Sequence, residues 1–253
     1  MTDPLVSRDG DPVSGAFVER VNRFVIRGDF DDADGSSGAG DDGVAAGVDD
    51  AYLGDPGKLR NILVPGHEIL CESVDDPDRA TDYDAVAARV GDTWVSLRAA
   101  LANDLFAAAL HDGHLPAFDW TETVVREPEL PDHGRSDFRL ASPDGKRVAY
   151  VEVKSTTHVD DGVAKFPDRP TERGRRHLKS LWALVEDGVE AHLVFVVQRP
   201  DVQRWEPFRE VDPEFADLLG EVVVAGVELR ALVTEFDPPE YRLRKTDLAV
   251  NVD

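Results

Sequence analysis

The chain has 253 residues, 42% of them hydrophobic, enough apolar material for two moderate cores, and a two-domain organisation is expected. Its 51 acidic and 28 basic residues give a formal charge of −23 with few lysines, the bias of a halophilic protein whose hydrated carboxylate surface resists association in concentrated intracellular salt. A single cysteine, Cys71, excludes an intramolecular disulfide and a CxxC-type zinc site.

The N-terminus, MTDPLVSRDGDPV, carries acids and no apolar h-region, and the longest apolar run, LVFVV at residues 193–197, is too short to span a bilayer. No membrane association and a cytoplasmic location are therefore expected. Residues 16–26, AFVERVNRFVI, are β-branched and aromatic and predict a strand. Residues 29–50 are acidic and Gly/Ser-rich, and predict a long loop inserted in a β-domain. Short β-like segments at 62–72 (ILVPGHEILCE) and 94–97 (WVSL) complete a small barrel or sandwich over residues 1–98.

Residues 99–111, AALANDLFAAALH, place apolar positions at helical spacing and open a second domain, 99–253. Strands and helices then alternate: strands at 137–140 and 148–154, a helix over 171–187, the strand AHLVFVV, a helix over 213–225 and the strand ELRALV. That order is α/β. The bare run LVFVV suits a central strand covered on both faces, and a right-handed crossover sets it beside residues 148–154.

Residues 147–157 read RVAYVEVKSTT, and as a strand they place Tyr150, Glu152 and Lys154 on one face and Val151 and Val153 on the other. Taken alone, Glu-x-Lys is the solvated face of a strand. Upstream, however, Asp137 in GRSDFRL precedes the turn SPDGK, and an antiparallel hairpin through that turn brings Asp137 to Glu152 and Lys154. Glu127 in VVREPEL can join them from the end of the helical region. Clustered carboxylates suit a hard divalent cation, Mg2+ or Mn2+, whose bound water becomes a nucleophile while a lysine orients it. Asp137, Glu152 and Lys154 are the candidate catalytic residues, and Asp137, Glu152 and Glu127 the candidate metal ligands.

Downstream lies FPDRPTERGRRHLKSLWALVEDG, with Thr171 as a plausible N-cap and Leu178, Leu181, Trp182 and Val185 as the buried stripe of a helix. Arg173, Arg176, His177 and Lys179 belong to a basic island in an acidic chain, for which phosphate is one partner and internal ion pairing with the surplus acids another. The overall acidity does not decide between them, because counterion release contributes little in molar salt.

At these segments (FVERVNRF, DPGKLRNILVPG, WVSLRAALAND, GRSDF, YVEVKSTT and FPDRPTERGRRHLKSL) the chain resembles the sugar fermentation stimulation protein A family over nearly its whole length. The resemblance implies an N-terminal OB-like β-barrel and a C-terminal domain similar to the PD-(D/E)xK nucleases, with Asp137, Glu152 and Lys154 at the signature positions and Glu127 as the preceding acid. It also implies DNA as a partner, a link to sugar metabolism, and leaves room for a homodimer. Whether the site cuts phosphodiesters or is the relic in a non-catalytic DNA-binding regulator stays open at this level. Residues 52–57, YLGDPG, depart from the family's pattern, so no ligand contact is carried to Tyr52 or Asp55.

Overall fold

The structure is a computed structural model that describes residues 3–8, 12–30, 47–130 and 134–252. In chain order the elements are β1 (Val6–Ser7), β2 (Pro12–Arg20), β3 (Val25–Phe30), β4 (Val48–Tyr52), β5 (Glu68–Ser73), β6 (Tyr83–Val90), β7 (Thr93–Ser96), α1 (Leu101–His111), β8 (Thr123–Arg126), β9 (Phe138–Ala141), β10 (Val148–Thr156), β11 (Val159–Asp160), β12 (Val163–Phe166), α2 (Glu172–Glu186), β13 (Glu190–Val197), β14 (Arg204–Pro207), α3 (Pro213–Ala225), β15 (Glu228–Asp237), β16 (Glu240–Lys245) and β17 (Ala249–Val250).

Strands β2 to β7 form one sheet in the order β4-β3-β2-β5-β6-β7, and an extra parallel pairing of β4 with β6 closes it into a barrel. Phe17, Ile26, Ile69 and Val95 fill its interior. The single strand expected at residues 16–26 is two strands. The Asn22 side chain accepts from the Phe24 N–H at 2.8 Å, and the Val21 and Asn22 N–H groups both donate to the Val25 carbonyl, which turns the chain between β2 and β3. The expected loop at 29–50 is also shorter than read. Asp29 pairs with Val48 and Arg27 with Asp50, so both ends belong to the β3–β4 ladder, and residues 31–46 lie outside the described residues. Residues 62–67 turn before β5 begins, as Pro65 and Gly66 require.

The second sheet runs β1-β16-β15-β13-β10-β9-β8, with a parallel centre of β15, β13 and β10. The segment before β2, counted with the barrel in the sequence reading, supplies β1 at the edge of this sheet. As expected, β13 is covered on both faces: Val194 and Val196 pack toward Leu105 and Phe106 of α1, Leu193 and Phe195 toward Leu178 of α2 and Phe215 of α3. A small sheet, β11-β12-β14-β17, flanks it.

Helix α2 starts where its capping chemistry dictates, since Thr171 Oγ1 accepts from the Gly174 N–H at 3.0 Å. Asp212 caps α3 through the Phe215 N–H at 3.0 Å and also accepts from the Thr171 N–H at 2.8 Å, tying the two helix starts together. The buried stripe of α2 is Gly174, Leu178, Leu181 and Leu184; Trp182 and Val185, expected in that stripe, sit half-buried at its margin. Barrel and second sheet meet through specific bonds. The Lys58 and Leu59 N–H groups donate to Asp168 Oδ2 at 2.6 and 3.2 Å, and Arg169 donates to the Pro56 carbonyl at 3.1 Å.

Candidate metal and phosphate site

The ladder between β9 and β10 ends at the pair Val151–Phe138, one residue short of Asp137 and Glu152. Beyond it β10 keeps its parallel partner β13 but has lost β9, so the Val153 N–H needs another acceptor. Asp137 Oδ2 supplies it at 2.7 Å, while Asp137 Oδ1 accepts from Asn103 Nδ2 of α1 at 3.2 Å. Asp137 is thus fixed beside the strand that carries Glu152 and Lys154, as the hairpin reading required. Glu152 is 3% exposed on the α2 side of the sheet, and its Oε1 receives both Lys154 Nζ and His177 Nδ1. Lys154 Nζ and His177 Nδ1 lie 3.4 Å apart.

These contacts separate the two acids. Burial, then the neighbouring Glu152 charge, raises the Asp137 carboxyl above the usual carboxylate range. Burial acts the same way on Glu152 but is outweighed by the Lys154 charge and the His177 contact, which hold it below that range. Two carboxylates in one half-buried place, with oxygens that still have open lone pairs, form a donor set that a hard divalent cation fits, because a cation relieves the repulsion between them.

Other predicted residues fall differently. His177, assigned from sequence to phosphate binding, faces Glu152 and Lys154 instead. The Glu127 side chain is 72% exposed and pairs with Arg135 at 3.6 Å, while only its N–H reaches Asp137, donating to the main-chain carbonyl at 2.9 Å. It stands at the end of β8 with φ of 49°, not at the end of a helix, and its carboxylate does not join Asp137 and Glu152 in a compact set. Arg173, Arg176 and Lys179 are exposed on α2 and make no ion pair among the described residues, whereas Arg175 is held by Asp212 at 2.7 Å.

The cluster lies between two concavities. A hollow of about 420 Å³ is lined by Glu152, His177, Ser136, Arg173, Arg176 and Lys179. A cleft of about 510 Å³ between barrel and second sheet is lined by Lys154, Asn103, Arg169 and Arg173 on one side and by Arg23 and Asp55 of the barrel on the other. Asn103 and Arg23 were missed as site residues. Both come from segments remote in sequence from the hairpin, and no local spacing marks either.

Two family models cover the chain: the SfsA N-terminal OB domain over residues 18–97 and the sugar fermentation stimulation protein RE domain over residues 100–240. The chain is 38% identical over 238 residues to the sugar fermentation stimulation protein homolog of Moorella thermoacetica, covering 92% of this chain and 94% of that one. It is 35% identical over 219 residues to the homolog of Caldanaerobacter subterraneus, covering 87% and 88%. The structure of Pyrococcus furiosus SfsA in complex with Ca2+ is similar over 99% of this chain and 100% of that one, at 26% identity and a TM-score of 0.84. The chain belongs to the sugar fermentation stimulation protein family, with an OB domain followed by an RE domain.

Proposed function

We propose that the protein binds DNA in the cleft between its barrel and a nuclease-like second domain divided from it near residues 98–99, and hydrolyses phosphodiesters there with a divalent cation. The observation that carries this reading is the convergence of Asp137, Glu152 and Lys154 between two concavities lined by Arg23, Arg173, Arg176 and Lys179, which make no ion pair among the described residues, in a chain of net charge −23. Asp137 and Glu152 would hold Mg2+ or Mn2+; the relative from Pyrococcus furiosus is described in complex with Ca2+, another hard cation that prefers oxygen donors. Such a cation, when bound, acidifies a water and neutralises phosphoryl charge. Lys154, anchored on the same strand as Glu152, would orient an attacking water and stabilise the charge that develops on the phosphoryl group. Asn103 and the Val153 N–H hold Asp137 in position, and Arg173, Arg176 and Lys179 receive the phosphate backbone. Glu127 is left out of the ligand set, because its carboxylate is exposed and engaged by Arg135. Among the described residues no helix is long and apolar enough to cross a membrane, and work on DNA suits the cytoplasm.

The convergence of Lys154 and His177 on a single oxygen of Glu152 favours a second reading, a DNA-binding regulator whose acidic site is closed by internal pairing. End-labelled single- and double-stranded DNA incubated in molar KCl with Mn2+ separates the two. Cleavage by wild type that falls at least about a hundredfold in Lys154→Ala and Glu152→Gln, with DNA retention unchanged, supports hydrolysis. Intact ends in all three, with retention lost in Arg173→Ala or Arg176→Ala, would leave only the regulator.

A further inference from the structure

On the opposite face of the same sheet, the starts of β13 and β15 bring together Glu190, His192 and Glu228, the one set of three His, Cys, Asp or Glu residues among those described whose donor atoms all lie within 4.8 Å of one another. His192 and Glu228 are direct partners in the parallel ladder, and Glu190 precedes His192 by two, so the three share one side of the sheet. Val194 and Val196 of the same parity pack toward α1, whereas Glu152 faces α2, so this cluster is separate from the site described above.

His192 is 1% exposed. Its Nε2 lies 2.9 Å from Glu190 Oε1, and a carboxylate there requires Nε2 to carry the proton. In a neutral ring Nδ1 then presents a lone pair, and burial holds the imidazole below its usual range. That Nδ1 is buried without a hydrogen-bond partner, and it faces Glu228 Oε2 at 3.6 Å. Two lone-pair donors face each other with no proton between them. A tetrahedral metal at about 2.0–2.1 Å from each sets its donors roughly 3.4 Å apart, close to what is found here.

We infer that His192 Nδ1 and Glu228 form a second divalent-metal site, in which Glu190 orients the imidazole through Nε2. Carboxylate, histidine and metal in that order are the usual way a metal-bound imidazole is fixed. The nitrogen donor selects zinc, cobalt or nickel over magnesium and calcium. Arg147 locks the orienting group with two bonds of 2.8 Å to Glu190 while its guanidinium lies 4.0 Å over the Trp120 ring. Arg230 is the competitor: its Nη2 donates to Glu228 Oε2 at 2.6 Å, and the metal takes that oxygen only when the 31% exposed arginine turns outward.

The test uses the full chain carrying Asp137→Asn and Glu152→Gln, so that the other site is out of play and its fate does not bear on the result. Titration with Co2+, read by visible d–d absorption and calorimetry, should show one bound equivalent. Adding Glu228→Gln, at an exposed position, or His192→Gln should weaken binding by about ten- to a hundredfold. Arg230→Gln should tighten it. Absence of Co2+ binding in the double variant, affinity unchanged by Glu228→Gln, or weaker binding in Arg230→Gln would each overturn the inference.

Discussion

At the scale of single residues, Asp55 behaves unlike the surface acids of this acidic chain. It is 7% exposed, accepts the Gly57 N–H at 2.8 Å, and burial first, with the nearby Asp168 charge, pushes its carboxyl up to about 6. An acid whose folded pKa lies above its unfolded value near 4 contributes stability below the unfolded pKa and loses it as pH rises through about 6. Ionised Asp55 is therefore a cost at neutral pH, partly offset by Arg20, which bonds the neighbouring Gly57 carbonyl. Asp55→Asn keeps an oxygen for the Gly57 N–H and removes the charge. Its stability should exceed wild type by about 1–3 kcal/mol at pH 7.5, with the gain shrinking to nothing near pH 4, as read by denaturant melts across that range. A gain that is independent of pH would show that the buried charge is not its source. The sequence marked the YLGDPG segment as unusual without giving it a role. The segment is held from far along the chain, where Arg169 donates to the Pro56 carbonyl across 113 positions, a contact that no local pattern displays.

Elements were legible where periodicity, an apolar run or capping chemistry marked them; α1 forms over Leu101–His111, within the expected 99–111, with no side-chain cap. Helices α2 and α3 begin after Thr171 and Asp212 as the sequence indicates, and α3 ends at Gly226 with φ of 115°, a left-handed position that glycine adopts without strain. Strands β8, β12 and β14 were missed because four residues are too few for a periodicity to show, and every residue of β8 is exposed; the longer β4, β6 and β16 were missed as well. Residues 62–67 were over-read for the opposite reason, an apolar run that turns at Pro65 and Gly66. The α2 start also explains a glycine inside its first turn. A Cβ on Gly174 would stand 2.6 Å from Thr171 Cγ2 and 3.0 Å from the capping Oγ1, and the site is buried against Phe215. Alanine there should lower stability by about 1–3 kcal/mol in spite of its better helix propensity, through the displaced cap and crowding. Thermal melting of Gly174→Ala checks this, and an unchanged or higher midpoint would mean that Thr171 rotates away at no cost.

At the scale of the whole molecule, the candidate site mixes what sequence reveals with what only the fold assembles. Asp137, Glu152 and Lys154 were legible because one hairpin turn sets their register. The Glu127 carboxylate points away from the acids that chain order alone set beside it, and the contact of His177 with Glu152 was not legible because helix faces alone do not say which strand lies beneath. Arg23 was invisible as a site residue because it reaches the cleft from the turn between β2 and β3, in the other half of the chain. It is exposed, lies 5.2 Å over the Phe24 ring and has no acidic partner among the described residues. Arg173 faces the same cleft from α2. If a nucleic-acid backbone lies along that cleft, barrel and second sheet each contribute a phosphate contact, and each contact releases about 0.7–0.9 counterions. Arg23→Ala should weaken DNA retention several-fold and lower the slope of log affinity against log salt concentration by nearly one, as should Arg173→Ala. The double variant should lose about twice that slope, because the two contacts act on separate phosphates. The measurement is a retention series from low to molar KCl with uncleaved DNA in Ca2+. A slope unchanged in Arg23→Ala but reduced in Arg173→Ala would confine the backbone to the second domain and leave the barrel without a part in binding.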